Sequence, residues 1–172
     1  LNKLENLWAG WRKEYLSLNN SGNHSDDSEK TLFEGIDQSQ LPDEETFVIE
    51  KRKLTMVLLN VYPYTSGHLL VVPRRPVETL AGLSSEEHDS LWKMVTDATT
   101  TLQEVFSPEG INVGLNQGEA AGAGVPDHLH VHVVPRWSGD TNFTTVTANT
   151  RVIPEALIDT WTRISEAWPR ES

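Results

Sequence analysis

The chain has 172 residues, a length that fits one domain or one domain with an extension. Its mean hydropathy is −0.42, and no run approaches the roughly 18 apolar residues a membrane span needs. It has no cysteine, which excludes disulfides, thiolate metal sites and cysteine nucleophiles and fits a cytoplasmic protein. Its net charge of −11 argues against general nucleic-acid binding, which depends on Lys and Arg neutralising phosphates.

Residues 1–17 read as an amphipathic helix, with Leu1, Leu4, Trp8, Trp11 and Tyr15 at spacings of three and four. This charged start lacks the apolar region and small-residue cleavage site of a signal peptide, and a first residue of Leu suggests that native residues precede it. Residues 18–30 are polar and rich in turn formers, which predicts a linker. Residues 31–45 carry little pattern.

Thr46 to Lys51 and Leu54 to Tyr62 are apolar and β-branched, with Arg52 and Lys53 between them, which predicts a hairpin. Pro63 to Gly67 reads as a turn, and His68 to Pro73 as a third strand closed by proline. Ser84 and Glu87 form a capping-box pattern that opens a helix to about Phe106. Ile111 to Asn116 is a fourth strand, Gln117 to Asp127 a loop rich in glycine and alanine, and His128 to Val134 a fifth strand. Pro154 opens a last helix through Trp168, near its first position. These elements predict an α+β domain: a mostly antiparallel five-stranded sheet, one long inserted helix and extra terminal helices. The chain divides into residues 1–45 (helix and linker), 46–150 (the strand-rich domain) and 151–172 (a helix packing on it).

The informative segment is His128-Leu129-His130-Val131-His132-Val133. Six histidines are spread along the chain, yet three lie in this stretch. On a strand the three would share one face while Leu129, Val131 and Val133 bury the other. Three imidazoles on one face are poorly explained by packing, because each brings nitrogens that need partners. Two at alternate positions can share a zinc. Three span roughly 13 Å, too far for one ion with zinc–nitrogen bonds of about 2.0–2.1 Å. A polyphosphate extended along the strand suits all three. An imidazole, with a reference pKa near 6.5, is a usable nucleophile near neutral pH. Attack on phosphorus divides one hard displacement into two easier ones. On that basis His130 attacks, His132 donates to the phosphate oxygens and His128 orients His130.

At these residues the sequence resembles the histidine-triad (HIT) family, whose motif is three histidines alternating with apolar residues. Supporting segments follow in order: LLNVYPYTSGHLLVVPRRP, INVGLNQG and HLHVHVVPRWSGDTNF. The flanking helices and the RWSGDTNF and RVIPEAL segments look most like the bacterial diadenosine tetraphosphate (Ap4A) phosphorylase branch. The resemblance implies a HIT-like fold, cleavage of Ap4A by phosphate to ATP and ADP, and a nucleotidyl-histidine intermediate on His130. It places His132 at the attacked phosphate and makes His128 and His68 a pair holding the site. It puts Asn60 on the ribose, Asn116 near the α-phosphate, and Leu58 and Leu70 along the base pocket. It implies a bound nucleotide (AMP, ADP or ATP), no required cofactor, and a homodimer or higher homo-oligomer formed by joining sheets.

Two positions depart from the family pattern. Where many relatives bear a zinc-holding Cys-x-x-Cys, this chain has Thr31 and Glu34, so structural zinc is not expected. Where a hydroxyl residue usually stands near the leaving phosphate, Gly124 and Val125 appear, and the Gly124 backbone N–H remains available.

Gln117 and Gly124 belong to a stretch suited to cradling phosphate with free N–H groups. Trp137, at the exit of the triad strand, could stack on a base or simply pack. Arg136 could offset substrate charge or be an ordinary exposed arginine, and His88 reads as solvent-facing or structural. Water in place of phosphate would make the enzyme a dinucleoside polyphosphate or nucleoside phosphoramidate hydrolase. A non-catalytic nucleotide-binding adaptor and, more weakly, a metal hydrolase are the alternatives from other classes.

Overall fold

Short runs of Val, Leu, Ile and Met, broken by turn residues, become strands because branched side chains pack well on a pleated surface. The computed structural model describes residues 30–140 and 154–169. The expected helix over 1–17 lies outside these residues, as do all but Lys30 of the expected linker and the segment 141–153. A short helix, α1 (Leu32–Asp37), and a single turn, α2 (Asp43–Thr46), lead into the sheet. The strands are β1 (Val48–Lys51), β2 (Thr55–Leu59), β3 (Leu69–Pro73), β4 (Gly110–Leu115) and β5 (Val131–Arg136). They form one antiparallel sheet in the order β1-β2-β3-β5-β4. The expected α+β class and five antiparallel strands are therefore what the chain adopts.

The long helix α3 (Ser85–Phe106) starts where the capping box predicts. The Ser84 side chain accepts from the Glu87 N–H, and the Glu87 carboxylate accepts from the Ser84 N–H. Its apolar stripe, Leu91, Met94, Val95, Ala98 and Leu102, is buried with Val57, Leu59, Leu69, Val71, Val131 and Val133 from one sheet face. The last helix, α4 (Leu157–Ala167), adds Ile164 to that core, followed by Trp168. Trp161 donates its indole N–H to the Val48 carbonyl on β1. The opposite sheet face carries Met56, Leu58, Leu70, Val72 and Val134, all buried yet outside that cluster.

Two element boundaries differ from expectation. Ahead of them α1 is capped by Thr31 and bonded through Asp37 to Lys51 and Arg74. The α4 helix begins at Leu157 with Ala156 as its N-cap, so Pro154 precedes it and does not occupy its first turn. Strand β5 begins at Val131, not His128. β3 pairs with β5 only through Leu69, Leu70 and Val71. Before Val131 the chain finds other partners: the Leu129 N–H bonds the Val77 carbonyl and the His128 N–H bonds the Val125 carbonyl. No helix among the described residues is long and apolar enough to cross a membrane.

Candidate active site

Cross-strand register gathers the site on the sheet face opposite α3. Leu58 on β2 sits opposite Leu70 on β3. Leu70 in turn sits opposite His132 on β5, and His132 opposite Gly114 on edge strand β4. The row thus runs from two apolar side chains through an imidazole to a glycine. A Cβ placed on Gly114 would meet nothing within 4 Å, so there is open space beside His132 at the sheet edge.

The three histidine rings stand together without being equivalent. The rings of His130 and His132 have centroids 5.0 Å apart. His128 is fully buried and His130 nearly so, whereas His132 is only half-buried. Each ring has a defined set of partners. The Nδ1 of His130 lies 2.9 Å from the His128 carbonyl, which can only accept. His130 therefore carries a proton on Nδ1 and, when neutral, a free lone pair on Nε2.

His132 has the complementary tautomer. The Tyr64 N–H donates to His68 Nδ1 at 3.1 Å, so that nitrogen is unprotonated and His68 Nε2 carries the proton. His68 Nε2 donates to His132 Nδ1 at 3.0 Å, leaving the His132 proton on Nε2. Burial, reinforced by the nearby His130, pushes the His132 imidazole down to about 4, so at neutral pH it is an uncharged N–H donor. Burial also lowers His128.

The two histidines that the family resemblance pairs as holding the site reach different members of the triad. His68 holds His132, while His128 holds His130 through its backbone carbonyl. The strand boundary explains the division. His68 immediately precedes β3 and lies across from His132, whereas His128 lies before β5 and turns toward α1. His128 Nε2 donates to the Pro73 carbonyl at 2.8 Å, and its Nδ1 lies 2.6 Å from the Thr31 hydroxyl. The Phe33 ring of α1 stands edge-on to His128 at 5.2 Å and lies 5.4 Å from His130.

The other expected residues are arranged less uniformly. Asn60 is half-buried, accepts from the Tyr62 N–H through Oδ1 and places Nδ2 3.3 Å from His68 Nδ1. Asn116 reaches the Gly122 carbonyl at the 3.5 Å limit of a hydrogen bond. Gln117 accepts from the Leu80 N–H at 2.7 Å, so its carbonyl fastens the segment after β3. Gly124 is exposed, with open space where a Cβ would stand. Trp137 is half-buried, and its N–H bonds Asp140. Arg136 forms a two-pronged ion pair with Asp140 and also reaches Asn112, so its charge is already matched. His88 is exposed and accepts from the Trp92 indole N–H.

Four residues take part in ways that sequence reasoning did not assign to them. Thr31 and Glu34 form a capping box at the start of α1, a pattern visible in the sequence as Thr-x-x-Glu. Tyr64, 48% exposed, lays its ring over His68 at 4.5 Å and stacks on His132 at 5.9 Å. Gly114 became legible only through strand register.

A HIT domain profile matches residues 42–139. The chain belongs to the HIT family. It is 40% identical over 169 residues, 98% of its length and 87% of the relative's, to the AP-4-A phosphorylase of Mycobacterium tuberculosis. It is 37% identical over 93 residues to the asymmetrical bis(5'-nucleosyl)-tetraphosphatase of Schizosaccharomyces pombe, covering 54% of this chain and 50% of that one. Among solved structures, a zinc-bound histidine triad family protein from Mycobacterium smegmatis superimposes with a TM-score of 0.65 at 25% identity, covering 80% and 92% of the two chains.

The described residues of this HIT chain do not gather into a zinc site. There is no cysteine, and no group of three or more His, Asp or Glu among the described residues is placed to hold a metal. The two ring nitrogens of His128 are both occupied, by Thr31 and by Pro73.

Proposed function

We propose that the chain is a nucleotidyl-transferring phosphorylase that cleaves Ap4A with phosphate to give ATP and ADP. The observation that carries this reading is the pair of opposite tautomers: a lone pair on His130 Nε2 beside an uncharged N–H on His132. His130 Nε2 attacks the phosphorus attached to one adenosine. The bond from that phosphorus to the bridging oxygen breaks, and ATP leaves with the electron pair. His132 donates a hydrogen bond to the phosphate oxygens as charge shifts onto them. An oxygen of inorganic phosphate then attacks the adenylyl group, the nitrogen–phosphorus bond breaks, and ADP leaves His130 free.

Phosphate rather than water as acceptor is supported by the near full-length similarity to the mycobacterial phosphorylase. The shorter match to the yeast tetraphosphatase favours hydrolysis as the second reading. In either reading Leu58 and Leu70 line the base side, and Asn60, His68, Asn116, Gln117, Gly124 and Trp137 surround the rest of the substrate. No cofactor takes part, and the protein works in the cytoplasm as a homodimer or larger homo-oligomer. Edge strand β4, with Val113 41% exposed, is the surface available for that association, and sedimentation of the full chain tests it.

The decisive experiment follows Ap4A turnover with and without phosphate and traps the intermediate with labelled Ap4A. Label on His130, with ADP formed only when phosphate is present, is the expected result. His130→Ala should lose at least about 10³-fold in rate while still binding ADP. Turnover that persists in His130→Ala, or label that never reaches His130, refutes the mechanism.

A further inference from the structure

We propose that Thr31 is a positioning residue for the triad: its hydroxyl donates to His128 Nδ1 and fixes the ring and backbone of His128, whose carbonyl holds His130. This rests on the reading of His130 as the attacking group.

The direction of the bond follows from the partners. His128 Nε2 faces the Pro73 carbonyl, a pure acceptor, and must carry the proton. In the neutral ring Nδ1 is then a lone pair, and only a donor can satisfy it. Thr31 Oγ1 stands 2.6 Å away, across 97 positions of sequence. The same oxygen accepts the Glu34 N–H at 3.3 Å, which directs its own proton toward the histidine. A hydroxyl can accept and donate at once; a carboxylate or a methyl group in its place cannot.

His128 is fully buried, so its ring has no water to fall back on. Without the hydroxyl a buried acceptor is left unpaired, and the ring must turn or take up a proton. Either change moves the peptide whose carbonyl lies 2.9 Å from His130 Nδ1. The error therefore reaches the attacking imidazole directly.

The hydroxyl is also held in place by α1. At the other end of that helix, the two Asp37 carboxylate oxygens share the single Arg74 Nε–H, at 3.0 and 3.1 Å, and the Asp37 carbonyl accepts from Lys51. Phe33 packs on the rings of His128 and His130 between these anchors. In this chain the residues standing where the family resemblance places zinc-holding cysteines thus make a metal-free fastening of His128.

The test compares Thr31→Val, Thr31→Asp and Thr31→Ser with the parent in the full chain. Asp retains the helix cap but has no proton to give; Ser retains both. Ap4A turnover in phosphate gives kcat and KM, thermal melting reports folding, and imidazole 15N spectra report the His128 tautomer. Thr31→Asp should lose about ten-fold in kcat with KM changed less than about two-fold. Its His128 should become doubly protonated while the melting midpoint stays near the parent's. Thr31→Ser should restore the parent's kcat and spectrum. If Thr31→Asp, or a folded Thr31→Val, keeps the parent's kcat and His128 spectrum, the proposal is overturned. A parent that does not turn over Ap4A refutes the proposed function instead; the His128 spectrum of Thr31→Asp then still decides the role of Thr31.

Discussion

Acidification should weaken the folded chain through His132 in a defined window. Burial, then the neighbouring His130, holds that imidazole down to about 4, against 6.5 in the unfolded chain. As pH falls below about 6.5 the unfolded chain takes up a proton that the folded chain takes up only near 4. The sign follows: the contribution is fully present above about pH 6.5, declines toward pH 4 and is flat below that. At about 1.4 kcal/mol per pH unit, this window is worth about 3 kcal/mol. Solvent at the half-buried ring reduces this to about 2 kcal/mol. The assay is urea unfolding of the parent and His132→Gln at pH 7.5 and pH 4.5. Glutamine can still accept from His68 Nε2 and does not titrate. Carboxylates and His128 contribute to both proteins and cancel in the difference. The parent should lose about 2 kcal/mol more than the variant between the two pH values. Equal losses would show that His132 is not desolvated in the folded state, and the neutral-donor role would go with it.

Gly114→Val should place a branched side chain in the open space beside His132. We expect KM for Ap4A to rise about ten-fold or more, with the melting midpoint within a few degrees of the parent's; unchanged kinetics would show that substrate does not use that space. Gly67→Ala should destabilise by about 1–3 kcal/mol in urea unfolding. Gly67 has φ +80°, and a new Cβ would lie 3.1 Å from atoms of Leu102 and Phe106. A neutral result would mean that the turn before His68 can shift freely. Strong chelation should leave the melting midpoint unchanged, since His128 is fastened by Thr31 and Pro73. A fall in the midpoint would reveal a metal that the described residues do not account for.

Much of this geometry is written locally in the sequence. The Ser84–Glu87 box and the stripe from Leu91 to Leu102 set α3 to within a residue, because capping and period are short-range properties. The alternation of histidines with Leu129, Val131 and Val133 places those three apolar residues in the buried core, where the structure has them. The start of β5 was misplaced because alternation continues through residues that are extended but unpaired. Whether they join the ladder depends on where β3 ends, and Pro73 and Val77 lie more than fifty positions away. Residues 31–45 gave little periodicity because α1 is under two turns long. Its one local signal, Thr31 with Glu34, is a cap that says nothing about a distant histidine.

Histidine is one residue type with three available states, and the sequence specifies only the type. What assigns the states here is the backbone: a carbonyl at His128 protonates His130 on Nδ1, an N–H at Tyr64 strips His68 of its Nδ1 proton, and a carbonyl at Pro73 protonates His128 on Nε2. Peptide groups cannot change their donor or acceptor character. A triad referenced to them therefore holds its lone pair and its N–H in fixed places through backbone and hydroxyl partners, although Glu34 and Asp127 lie near enough to favour the charged form of His128. A negative charge beside the rings would repel a polyphosphate and raise His132 toward its charged form. Fixing the tautomers through peptide groups and one hydroxyl adds no further negative charge to a chain whose net charge is already −11. The same logic explains why a threonine can stand at His128: its hydroxyl satisfies the ring nitrogen and adds no charge, which suits the anionic substrate proposed above.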